Sequence, residues 1–80
     1  MSAPRPDHYR MHLNNYLQQR YGHTQFLTWE HSHQGPLHQP MWFSTAYLEG
    51  IPWGNGQGPS RGAAMEMAAS EVLRALATRR

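Results

Sequence analysis

The sequence predicts an α+β domain in the order α-β-β-β-α, a three-stranded antiparallel sheet with both helices packed on one face. Three observations lead there. Apolar residues recur at helical spacing near both ends of the chain. Between them lie two aromatic and β-branched segments, separated by a Gly-Pro loop. A third short apolar segment follows, with glycines at every second position after it. The chain's 80 residues make one small domain and leave no room for a second.

The expected boundaries are a disordered lead over 1–7, with two prolines, a domain over 8–77 and a C-terminal end over 78–80. Asp7 is suited to cap the first helix. Beyond it Tyr9, Leu13, Tyr16, Leu17 and Arg20 form one stripe, and Gly22 stands where a left-handed residue ends a helix. Met11, Asn14, Asn15 and Gln18 take the opposite face. A strand is expected from residue 24 to about 33, around Phe26, Leu27, Thr28 and Trp29.

Residues 34–40 read as a loop, punctuated by Gly35-Pro36 and Pro40. Residues 41–48 form the next strand. Trp42, Ser44, Ala46 and Leu48 face one way; Phe43, Thr45 and Tyr47 face the other. Glu49-Gly50 makes a tight turn into a short third strand over 51–53, an edge because Pro52 cannot donate to a ladder. Gly54, Gly56 and Gly58 then read as a hairpin-like loop. Ser60 caps the last helix, whose Ala64, Ala68, Val72 and Leu76 share a face widened by Ala69 and Leu73. Phe26, Trp29, Trp42, Phe43, Tyr47 and Trp53 are expected to supply much of the core.

Composition narrows the functional classes. The chain has no cysteine, which excludes disulfides and thiolate metal sites. No apolar run approaches membrane-spanning length, and the first residues carry no signal-peptide core, so an intracellular location, cytoplasmic or nuclear, is expected. The net charge is only +2, and all seven basic residues are arginine, scattered along the chain. A strong electrostatic field is therefore not expected. His8 and His12 are four apart on a helix, and His31 and His33 alternate on a strand, but neither pair has an evident third ligand. Asp7, Glu30, Glu49, Glu66 and Glu71 have no paired-carboxylate spacing. Neither an enzyme, nor a metal site, nor a cofactor is expected.

Several short motifs, taken in order, resemble the double-stranded-RNA-binding domain family over residues 9–76. Leu13-Asn14-Asn15-Tyr16 is similar to that family's first-helix Leu-Asn-Glu-Tyr. Gly35-Pro36-Leu37-His38 and, after three intervening residues, Trp42 resemble its Gly-Pro-x-His-x-x-x-Phe. Gly50, Gly54, Gly56, Gly58 and Ser60 match its glycine ladder, and Ala64, Ala68 and Ala69 its second-helix alanines. The resemblance implies a non-catalytic module that holds A-form RNA by shape over about 16 base pairs. Its first helix and the loop between its first two strands enter successive minor grooves. The start of its second helix meets phosphates between them. Carried to this chain, the RNA-binding residues are Asn14, Asn15, Gly35, Pro36, His38, Ser60 and Arg61.

The chain departs from the family where charge matters. The family's Lys-Lys-x-Ala-Lys stands here as Arg61-Gly62-Ala63-Ala64-Met65. Two cations are missing, so double-stranded RNA is the expected partner at modest affinity, with no DNA preference. The alternative is a protein–protein interaction or dimerisation module that kept the fold and lost RNA binding. Its surface would be Met65, with Met11, Met41 and Trp53 exposed, or the sheet face with Phe43 and Tyr47.

Overall fold

The computed structural model describes residues 8–78 and has the expected order: α1 (Tyr9–Tyr21), β1 (Leu27–Gln34), β2 (Met41–Leu48), β3 (Ile51–Gly58) and α2 (Arg61–Thr78). The strands form one antiparallel sheet in the order β1-β2-β3. The expected lead over 1–7, and Asp7 as a cap, lie outside the described residues.

Helix α1 buries Leu13 and Leu17, with Tyr9 against the same core. Tyr16 and Arg20, expected on that stripe, are exposed instead. Leu13 and Leu17 fall within about 40° of one another on a helix, and Tyr16 lies about 60° from Leu13 and about 100° from Leu17, at the margin of that stripe. Gly22 ends the helix as expected, at φ 83°, its N–H donating to the Gln18 carbonyl at 2.8 Å.

Strand β1 starts three residues later than expected, because Leu27 N–H donates to the Thr24 carbonyl at 3.0 Å in a preceding turn. Strand β2 matches its expected bounds and its expected faces: Ser44, Ala46 and Leu48 are buried, while Phe43, Thr45 and Tyr47 are on the other side, partly exposed. Glu49 and Gly50 both take positive φ, 53° and 79°, as the tightest hairpin turn demands.

The glycine-rich segment is the clearest correction. It is not a loop but the second half of β3, which runs unbroken to Gly58 and pairs Gly54, Gly56 and Gly58 with Ala46, Ser44 and Trp42. The register shifts between Ala46 and Tyr47, whose partners are Gly54 and Pro52. Pro52, which has no N–H to donate, therefore sits beside the irregularity on an edge strand.

None of these three glycines has positive φ. They serve space, not conformation. A Cβ on Gly56 would lie 2.5 Å from the Ala68 nitrogen and 2.6 Å from the Ala64 oxygen. One on Gly54 would lie 2.7 Å from the Ala68 oxygen. Helix α2 thus rests its alanine face directly on the backbone of β3.

That close approach decides what the core is made of. The buried cluster is aliphatic: Leu13, Leu17, Ala46, Leu48, Ala69 and Val72. Phe26, Trp29 and Trp53 pack around it partly buried, rather than filling it as expected. Trp42 lies toward the loop end, and Phe43 and Tyr47 on the open sheet face. Replacing Leu13 or Leu17 by alanine should cost about 2–5 kcal/mol.

Candidate nucleic-acid interface

Helix α2 begins as the sequence suggests. The Ser60 hydroxyl accepts from the Ala63 N–H at 3.1 Å, and the Ser60 carbonyl accepts from the Ala64 N–H at 3.0 Å. The Ser60 side chain is therefore committed to capping, and Arg61 beside it is exposed. The positive charge of Arg61 reaches His31 on β1. Burial first, and Arg61 second, hold the His31 imidazole below its ordinary pKa. His31 Nδ1 lies 2.8 Å from the Ser44 hydroxyl, and its ring stacks on Trp29 at an interplanar angle of 10°.

On the other side of the α2 start lies α1. Arg10 Nη1 reaches the Met65 sulfur at 3.6 Å, and Nη2 lies 3.7 Å from where a Cβ on Gly62 would stand. Arg10 Nε donates to Oε2 of Glu66. Glu66 is 3% exposed, the one buried charged side chain among the described residues. Its Oε1 accepts from the Tyr9 N–H at 2.7 Å and the Arg10 N–H at 3.4 Å. A carboxylate from α2 thus satisfies open amides at the start of α1, where the helix dipole favours negative charge. Met65 is consequently half-buried beneath Arg10 rather than exposed.

Asn14 lies one turn beyond Arg10. It donates through Nδ2 to the Arg10 carbonyl at 3.0 Å and lines a hollow of about 410 Å³ with Arg10, Met11, Trp29, Met65 and Glu66. Asn15 is exposed but is not part of that hollow. At 100° per residue it points away from the Leu13–Leu17 side.

The loop lies at the far end of the β1–β2 ladder, past His33, whose ring centroid is 4.7 Å from that of Trp42. Gly35 adopts φ 97°, a conformation glycine suits, and a Cβ there would press on the Gln39 carbonyl at 3.2 Å. The Gln39 N–H donates to the Pro36 carbonyl at 3.0 Å and closes a turn. Leu37 and His38 occupy its tip, Leu37 98% exposed. Glycine and proline therefore shape the loop, and the side chains presented are Leu37 and His38.

Of the seven residues expected to bind, Asn14, Ser60 and Arg61 gather around the α1–α2 junction. Gly35, Pro36 and His38 stand in the loop, linked to that junction through the His31–His33 face of β1. Asn15 stands apart. Arg10, Glu66 and Leu37 were absent from the sequence-based set. Glu66 did carry a signal: it is spaced with Ala69, Leu73 and Leu76 on the inward side of α2.

Among the described residues no group of three His, Asp or Glu side chains gathers as a metal site, and no helix is long and apolar enough to cross a membrane. No family model and no curated protein matches the chain.

Proposed function

We propose that this domain is a non-catalytic module that binds A-form double-stranded RNA by shape, with modest affinity, as its resemblance to the double-stranded-RNA-binding family implies. One observation carries the reading most. A capped helix start bearing Arg61 adjoins the Asn14 side of α1, and both lie on the side of the sheet that continues through His31 and His33 to the Leu37-His38 tip. Three segments distant in sequence thus offer a cation, amide groups and a projecting loop to one ligand. Phosphate contacts position such a ligand, and 2′-hydroxyls distinguish RNA from DNA.

The test is titration of the chain with a 20-base-pair RNA duplex, and with DNA of the same sequence, at two salt concentrations. Binding to RNA and not DNA is expected. The salt slope should be shallow, about 0.9 per phosphate contact and few contacts in all. Absence of RNA binding at low salt would sink the proposal.

A second reading, a protein-interaction or dimerisation module, draws support from a different surface. Met67 is exposed beside a hollow of about 540 Å³ that Phe43, Thr45, Asn55, Gln57 and Glu71 also line, along the open edge of β3. Backbone resonances of Met67 and Asn55 would report a partner there, while RNA would move Asn14, His38 and Arg61.

A further inference from the structure

The chain contains no lysine, and the start of α2 carries one cation, Arg61, followed by glycine and, three positions later, methionine. On that count the helix start is poor in charge. The fold changes the count. Arg10, 51 positions earlier in the chain, brings its guanidinium to Gly62 and Met65. We propose that Arg10 is a phosphate-contacting residue of this interface, standing in space where α2 has no cation in sequence. The inference rests on the RNA-binding reading above and adds to it a residue and a means of tuning.

Three features carry it. The first is orientation. A guanidinium has five N–H donors. In Arg10, Nε is held by Glu66 and Nη1 approaches the Met65 sulfur, whereas Nη2 donates to no group among the described residues. The side chain is 42% exposed, while its Nε is fixed by Glu66. An arginine already held on one side loses less freedom when it meets a phosphate.

The second is room. Gly62 has no side chain, and apart from the helix's own adjoining backbone the nearest atom to a Cβ there is Arg10 Nη2. A large residue at 62 would cover that nitrogen. The glycine, unfavourable in a helix by up to about 1 kcal/mol against alanine, leaves the guanidinium uncovered. The third is a second cation nearby. Arg61 adjoins Gly62 in the chain and is exposed. Each helix therefore brings one arginine to the start of α2, Arg10 from the α1 side and Arg61 from the side facing β1, so the two are suited to separate phosphates.

Glu66 sets the strength of the contact. Its carboxylate is buried against Arg10 and offsets much of that guanidinium's long-range field. Arg10 thus acts more as a positioned hydrogen-bond donor than as a full unit of attraction. The effect should appear in affinity more than in salt dependence.

The test compares the intact chain with Arg10→Gln, Arg61→Gln and Glu66→Gln. Each is titrated with the 20-base-pair RNA duplex at low and near-physiological salt, and thermal unfolding of each variant identifies the folded ones. Arg10→Gln is expected to weaken binding about threefold to tenfold, lowering the salt slope by less than the 0.9 or so expected of a full phosphate contact. Glu66→Gln keeps an acceptor for Tyr9 and Arg10 but removes the negative charge. It should tighten binding and steepen the slope. The Arg10 Nε–Hε resonance should shift on adding RNA, a readout a merely structural arginine would not give. If the intact chain binds RNA, and Arg10→Gln and Glu66→Gln bind equally well with an unmoved resonance, the role of Arg10 is overturned and the RNA reading stands. If the intact chain binds no RNA, both fall.

Discussion

Gly56→Ala tests the packing of α2 on β3, which positions the candidate interface. The new Cβ would lie 2.5 Å from the Ala68 nitrogen, 2.5 Å from the Met67 Cβ and 2.6 Å from the Ala64 oxygen. Ordinary contact begins near 3.4 Å, so about 1 Å is lacking. All three atoms are fixed to the α2 backbone, and no side-chain rotation relieves them. The helix must lift from β3 and draw Ala64, Ala68 and Val72 out of their contacts. Overpacking of this kind costs about 1–3 kcal/mol. Alanine would regain about 0.5–1 kcal/mol of the entropic cost of glycine in a strand, but lifting an entire helix places the packing cost near its upper end. The net loss should be about 2 kcal/mol, or about 8–16 °C in Tm for a domain of this size. Urea unfolding followed by circular dichroism measures it. Gly62→Ala is the control, since its Cβ meets nothing closer than 3.7 Å; it should stabilise, by up to about 1 kcal/mol. A Gly56→Ala protein within 0.5 kcal/mol of the parent would refute the account of the glycine ladder, given the ~2 kcal/mol it requires.

Other perturbations address the helix starts and the titrating strand. Ser60→Ala removes the acceptor for Ala63 N–H and should cost about 1 kcal/mol in the same unfolding assay. Glu66→Ala strips the start of α1 of its acceptor and frees Arg10; a loss of about 1.5–3 kcal/mol is expected, as for hydrogen bonds to a charged group. His31 has its folded pKa below the unfolded value of 6.5, so the unfolded chain binds the proton more readily. Its contribution to stability is full above pH 6.5 and is lost as pH falls toward and through the folded pKa. Arg61→Ala should raise the His31 pKa part of the way back, since burial is the larger cause, and a titration of the imidazole resonances by NMR reads this directly. An unmoved His31 would place Arg61 away from β1.

The architecture was legible because its signals are local. Leu13 and Leu17, the alternation along β2, Gly22 and Ser60 each act within a few residues, and each stands where its spacing suggested. The glycine segment misled because a strand interior with three glycines has no intrinsic preference to be one. Its extended conformation follows from pairing with β2 and from the helix lying on it, both long-range events. The aromatic core misled for the same reason: α2 sits too close to β3 for a tryptophan to lie between them. The candidate site was legible in part. Arg61 and the loop are read from contiguous residues. The Arg10–Glu66 pair joins positions 56 apart, and only the polarity of Glu66 on an apolar stripe hinted at a partner.

That pair also governs what a restored cation would do. With sequence alone in view, Gly62→Lys adds a missing charge, and binding should tighten by the value of one phosphate contact. In the folded domain its Cβ would stand 3.7 Å from Arg10 Nη2, so the new ammonium begins its path beside an existing guanidinium. Two like charges repel, and they compete for the same phosphate. Gly62→Lys should therefore gain little in the parent and more in an Arg10→Gln background. A double-mutant cycle in RNA affinity measures the difference, with a coupling of about 0.5–1.5 kcal/mol expected for side chains in contact. Full additivity would mean that the ammonium of Gly62→Lys and Arg10 serve different phosphates, or that Arg10 serves none. Coupling that persists at high salt, where repulsion between the two cations is screened, is the result expected if α1 already supplies by tertiary contact a phosphate donor that α2 lacks in sequence.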